Sequence, residues 1–100
     1  MLPTPYAESI LDLVARVPSG RVVTYGDVAG LAGGSALSVG NVMSRFGSGV
    51  PWWRVIRAGG LLPPGHEVEA ARRLSEEGVP FRVPAERVDL ERCRWRPDDE

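Results

Sequence analysis

Lysine is absent from this 100-residue chain, and cysteine and histidine occur once each, as Cys93 and His66. A single cysteine forms no internal disulfide, and no metal-ligand spacing surrounds it. One histidine and one cysteine argue against a structural zinc site and against a cysteine–histidine catalytic pair, though Cys93 and His66 could approach in space. Both residues read as ordinary ones, Cys93 in a C-terminal strand and His66 in a loop. No metal and no cofactor is expected. No apolar run approaches the ~20 residues of a membrane-spanning helix. The start, Met1-Leu2-Pro3-Thr4-Pro5, has neither the basic flank nor the apolar core of a secretory signal. A cytoplasmic protein without a membrane partner is the expectation. The missing lysine itself carries no functional weight, because an all-arginine basic set fits GC-rich coding as well as phosphate recognition.

What is present is an ordinary globular composition, 43% hydrophobic and 25% charged. A chain of this length predicts one small domain over residues 1–100, with a modest core. The net charge of −1 argues against a nucleic-acid partner, but the distribution is uneven. From Arg16 to Arg57 five arginines face a single acid, Asp27, a local net of +4, while Asp98-Asp99-Glu100 ends the chain. Such a basic stretch fits a phosphate-facing surface or simply a solvated one.

The apolar spacing predicts a helix over about 5–16, with Thr4 as its cap and Pro5 in its first turn. Arg21-Val22-Val23 is short and extended. Thr24 with Asp27 three residues on forms a capping-box start for a second helix carrying Tyr25, Val28, Ala29 and Ala32. Gly33-Gly34 turns the chain and Ser35 caps a third helix over 36–46, with Val39, Val42, Met43 and Phe46 inward. Two short helices joined by a glycine turn form a helix-turn-helix candidate. The outer face of the second (Leu37, Ser38, Gly40, Asn41, Ser44 and Arg45) is small or polar, which suits close approach to a nucleic-acid backbone. Serine and glycine are indifferent helix formers, so propensity does not account for them. Next comes Val50-Pro51-Trp52-Trp53-Arg54-Val55-Ile56. In an extended chain the two tryptophans point to opposite sides. Arg57 to Leu61 reads as a strand entering a turn and Pro63-Pro64-Gly65 as a rigid loop. A helix is expected over 67–77 with Val68, Ala71 and Leu74 inward, then short strands over 81–83 and 88–95.

Taken in order over about residues 5–83, these segments resemble the DNA-binding domain of the O6-alkylguanine-DNA alkyltransferases. The carriers are Val17-Pro18-Ser19-Gly20-Arg21-Val22-Val23-Thr24-Tyr25-Gly26-Asp27-Val28-Ala29, Val39-Gly40-Asn41-Val42-Met43, Pro51-Trp52-Trp53-Arg54-Val55-Ile56 and Arg73-Leu74-Ser75-Glu76-Glu77-Gly78-Val79. The resemblance implies a mostly α fold with a small β component, a winged-helix-like helix-turn-helix domain. In the transferases the box reads Pro-Cys-His-Arg-Val, and its cysteine takes the alkyl group as a thiolate activated through histidine and glutamate. Here Trp52 stands at the cysteine position, and an indole accepts no alkyl group. The chain therefore looks like the non-catalytic, alkyltransferase-like branch, with no catalytic residue.

That branch implies binding of double-stranded DNA at O6-alkylguanine, flipping of the modified nucleotide into a pocket, and hand-over to nucleotide-excision-repair proteins. A monomer associated with the nucleoid is expected. The implied DNA contacts are Thr24, Tyr25, Ala36, Leu37, Ser38, Gly40, Asn41, Ser44 and Arg45. Tyr25 would crowd the 3′ phosphate and help rotate the nucleotide, a step that costs a few kcal/mol, least for a poorly paired base. The implied lesion pocket is Tyr25, Val50, Pro51, Trp52, Trp53 and Arg54. Arg54 would order the pocket loop through backbone carbonyls, and Glu77 matches the relay glutamate, here structural. Two positions depart from the family. Leu37 stands where an arginine finger is usual and reads as an apolar wedge. Trp53 stands where histidine is usual and makes the pocket floor more apolar, or fills it. Three other readings stay open: a helix-turn-helix DNA binder without a lesion pocket, a protein-interaction domain anchored by the tryptophan pair, and an alkyltransferase acting through Cys93.

Overall fold

The computed structural model describes residues 2–82 and 86–99. In chain order it has α1 (Pro5–Ala15), β1 (Val23–Thr24), α2 (Tyr25–Ala32), α3 (Ala36–Phe46), β2 (Val55–Ile56), α4 (Glu67–Glu76), β3 (Phe81–Arg82), β4 (Arg87–Val88) and α5 (Leu90–Cys93). Short 3-10 turns cover Gly47–Gly49, Trp52–Arg54, Ala58–Gly60 and Pro97–Asp99. The fold is mostly helical with two small two-stranded sheets.

The helix starts are local chemistry. Thr4 Oγ1 accepts from the Ala7 amide, Thr24 and Asp27 form a reciprocal capping box, and Ser35 and Ser38 form another. Each satisfies backbone donors that a helix N-terminus otherwise leaves unpaired. α1, α2 and α3 bury one apolar face each, and Ile10, Val14 and Val39 are fully buried. Each such side chain contributes roughly 1.5–3 kcal/mol relative to exposure.

β1 and β2 pair in parallel, Val23 beside Val55 and Thr24 beside Ile56. Strand side chains alternate, so this ribbon becomes a wall between two cores. Val23 and Val55 face the three-helix core with Trp95, whereas Val22 and Ile56 face a second core of Leu74, Val79, Val88 and Cys93. The C-terminal segment extends the wall: the Val22 amide donates to Cys93 O at 3.0 Å, and the Trp95 amide to Val22 O at 2.8 Å. β3 and β4 pair antiparallel over the second core. Gly60 lies where β4 crosses the 3-10 turn. Its φ of +89° is left-handed, and a Cβ there would lie 2.4 Å from Val88 O, so a side chain is excluded twice over.

Several expectations need correcting. The segment 88–95 is not one strand, because Leu90–Cys93 closes a helical turn between β4 and the Val22 bridge. Val83, expected to end the preceding strand, lies outside the described residues. In α4 the inward residues are Ala70 and Leu74, while Val68 is 87% exposed. Helical phase explains this, since i and i+4 share a face and Val68 lies half a turn from Ala70.

The α2–α3 turn is tied to α1 by Tyr6. Its hydroxyl donates to Gly33 O at 2.9 Å and lies 2.9 Å from Ser38 Oγ. Gly34 passes so close that a Cβ would sit 2.3 Å from that hydroxyl. Tyr6→Phe is expected to cost about 1 kcal/mol, the usual net worth of such a bond. Urea titration measures it, and an unshifted midpoint would show that the tie adds nothing to stability.

Candidate nucleic-acid interface

α2, α3, the Trp52–Arg54 turn and the loop after β2 enclose a cleft of about 870 Å³. The helix-turn-helix supplies one wall. Thr24 and Tyr25 begin it at the N-terminus of α2, and Ala36, Leu37, Gly40, Asn41 and Ser44 continue it along α3. These seven are among the nine expected DNA-facing residues. The other two, Ser38 and Arg45, are not cleft-lining: Ser38 Oγ is engaged by its capping box and by Tyr6, and Arg45 is exposed in the last turn of α3. Leu37 is 75% exposed, an apolar side chain standing out from the first turn of α3.

The tryptophan box is not extended. Pro51 leads into a 3-10 turn in which the Arg54 amide donates to Pro51 O at 3.1 Å. The two indoles meet edge to face, with centroids 5.7 Å apart and planes at 89°. Trp52 lines the cleft and packs against the His66 imidazole, centroid to centroid 5.4 Å. Trp53 packs instead on the second core, with the Arg73 guanidinium 4.3 Å over its ring. The floor is thus one tryptophan, not two. Of the six residues expected around the pocket, Tyr25 and Trp52 line it, while Val50, Pro51, Trp53 and Arg54 do not. Val50 packs on the three-helix core.

Behind this floor sits a hydrogen-bonded clamp centred on Glu77. Its carboxylate accepts from Gly20 N (3.1 Å), Trp53 Nε1 (2.9 Å), Arg54 Nε (3.0 Å) and Arg54 Nη2 (2.7 Å). Arg54 Nη1 donates to Val17 O at 2.9 Å. The two side chains are only 16% and 13% exposed. One carboxylate therefore joins the loop before β1, the tryptophan turn and the end of α4. Burial pushes the Glu77 carboxyl up, but the bonds from Arg54, Trp53 and Gly20 together outweigh it and hold it below its ordinary value. A depressed carboxyl stabilises the fold fully above its unfolded pKa of about 4.3 and loses that stabilisation as pH falls through the lower folded value. Stability is expected to fall more steeply below pH ~4 in the parent chain than in Glu77→Gln. Thermal melts across pH check this, and parallel curves would refute it.

The far wall was not foreseen. Arg57, Ala58, Pro63, Pro64 and His66 line the cleft there, while Met43 adds to the α3 side. Pro63-Pro64 was legible as a rigid loop, but its position opposite α3 is a long-range matter. Tyr25, partly buried here, has its phenol pKa raised by burial, with Arg57 offsetting part of the rise. The phenol is therefore neutral at pH 7 and brings no anion toward a phosphate. Cys93 is buried in the second core and does not line the cleft, and its thiol donates to Asp89 O at 3.2 Å. Burial, and then Asp89, push that thiol up, away from the thiolate a nucleophile needs.

Comparison with known proteins agrees with this geometry. The chain is 40% identical over 96 residues to the DNA base-flipping protein of Escherichia coli (strain K12), covering 90% of this chain and 74% of that protein. It is 31% identical over 99 residues to alkyltransferase-like protein 1 of Schizosaccharomyces pombe (strain 972), covering 88% and 92%. The crystal structure of S. pombe Atl1 in complex with damaged DNA containing O6-carboxymethylguanine superposes with a TM-score of 0.80 at 29% identity, covering 97% of this chain and all of that one. Residues 5–79 match the family model described as 6-O-methylguanine DNA methyltransferase, DNA binding domain, and the chain belongs to that family.

Proposed function

We propose that this protein binds double-stranded DNA at O6-alkylguanine, turns the modified nucleotide out of the helix into the cleft, and holds it there without removing the alkyl group. The observation that carries the reading is Trp52 on the floor of an open cleft beside the helix-turn-helix. A planar indole offers a flipped base a stacking surface and no nucleophile. Relatives named DNA base-flipping protein and a homologue solved with damaged DNA support it. The small face of α3 lets a helix approach the DNA backbone closely, and Tyr25 at the start of α2 stands where a neutral ring can press on a phosphate. The stably held site then serves as a mark for nucleotide-excision-repair proteins, with the protein acting as a monomer at the nucleoid.

The test is a titration of two duplexes, identical except for one O6-methylguanine, at one salt concentration because phosphate contacts make affinity salt-dependent. Tighter binding of the modified duplex, with no added mass on the protein, is expected. Equal affinity would leave a general helix-turn-helix DNA binder, and a methyl adduct on the protein would make it an enzyme.

Leu37 has its own expected result. Its exposed side chain at the rim of the cleft is placed to wedge between base steps, as apolar side chains do in minor-groove proteins. Leu37→Ala should weaken binding of the modified duplex about fivefold, equivalent to roughly 1 kcal/mol. Unchanged affinity would count against a wedge.

A further inference from the structure

Arg57 is the one permanently charged side chain on the cleft wall among the described residues, and no aspartate or glutamate lines the cleft with it. The rest of the wall is apolar or neutral, including Leu37, Met43, Trp52, Pro63 and Pro64. Arg57 is also held in place. Its amide donates to Leu61 O at 2.7 Å and its Nε to Leu62 O at 2.7 Å. Its outer nitrogen Nη2 has only a loose ion pair, 3.6 Å from Glu67 Oε2, with the two side chains 40% and 51% exposed. Exposed pairs of this kind contribute little. A guanidinium fixed at one end and weakly engaged at the other is arranged to take a carboxylate with small ordering cost.

We infer that the cleft prefers guanines whose O6 substituent ends in a carboxylate, which Arg57 receives through its outer nitrogens. This rests on the base-flipping reading above and adds the chemical class of the lesion. The base stacks on Trp52, and the acidic end of the adduct displaces Glu67 from Arg57. Glu67 is then a competitor for the same cation.

Three duplexes test this at one low salt concentration: unmodified, O6-carboxymethylguanine, and its neutral near-isostere O6-(carbamoylmethyl)guanine. The carboxymethyl duplex is expected to bind about fivefold to tenfold more tightly than the carbamoyl one, the worth of one charge-assisted bond at a half-exposed site. Arg57→Gln should bring that ratio to about one, and Glu67→Gln should raise it, because the competitor is gone. Equal binding of the two modified duplexes, both above the unmodified one, overturns this inference alone. Equal binding of all three overturns it together with the base-flipping reading. A ratio that persists in Arg57→Gln also overturns it.

Discussion

Glu77→Ala is expected to destabilise the fold by about 3 kcal/mol, as removal of one partner of a buried pair does. The cost comes from what the carboxylate leaves behind. Arg54 keeps its charge at 16% exposure with the Val17 carbonyl and the Trp53 ring face but no counter-charge, and the Gly20 and Trp53 N–H groups lose their acceptor. For a domain near 100 residues this is a fall in midpoint of more than about 10 °C. Glu77→Gln retains the shape and one acceptor oxygen, so it should fall between the parent chain and alanine. Calorimetry or circular dichroism decides the matter, and a midpoint shift within about 2 °C would mean that the clamp is not structural.

The second large effect is on binding. Trp52→Ala should reduce affinity for an O6-alkylated duplex roughly tenfold to a hundredfold, because base–aromatic stacking contributes about 1–3 kcal/mol. The unmodified duplex should be affected far less. Trp52 belongs to neither core, whereas Trp53 packs on Leu74 and its neighbours. Trp52→Ala is therefore expected to leave the melting temperature nearly unchanged, and Trp53→Ala to lower it. Isothermal titration with both duplexes, run beside thermal melts, separates the two tryptophans. Retained lesion preference in Trp52→Ala would remove the indole from the site.

The contrast between the tryptophans marks the limit of what was legible in the sequence. The helix caps at Thr4, Thr24 and Ser35 were legible because capping is a contact over three residues. α3 runs over Ala36–Phe46 as its periodicity predicts. The box Pro51-Trp52-Trp53-Arg54 was legible as the centre of the site, but the alternation expected of an extended chain does not apply to a 3-10 turn. Which tryptophan faces the cleft is decided by Glu77, 24 residues downstream of Trp53. Arg57 and the Pro63-Pro64 loop escaped for the same reason, since neither carries a local signal that it will face α3. The apolar residues between Val88 and Trp95 fit a strand in the sequence, but a short helical turn over Leu90–Cys93 buries Val88 and Trp95 equally well.

The Glu77 clamp has a kinetic consequence. Its bonds anchor the turn that carries Trp52 to two distant parts of the chain, so the floor cannot shift without breaking several of them at once. The helix-turn-helix wall is pinned as well, by the Tyr6 tie at the α2–α3 turn. A receptor held in this way is expected to take up a base without a closing step. The DNA then makes the adjustment: Tyr25 and Leu37 should turn out most readily a nucleotide whose pair is already weak, so lesions that pair poorly should be found sooner as well as held longer.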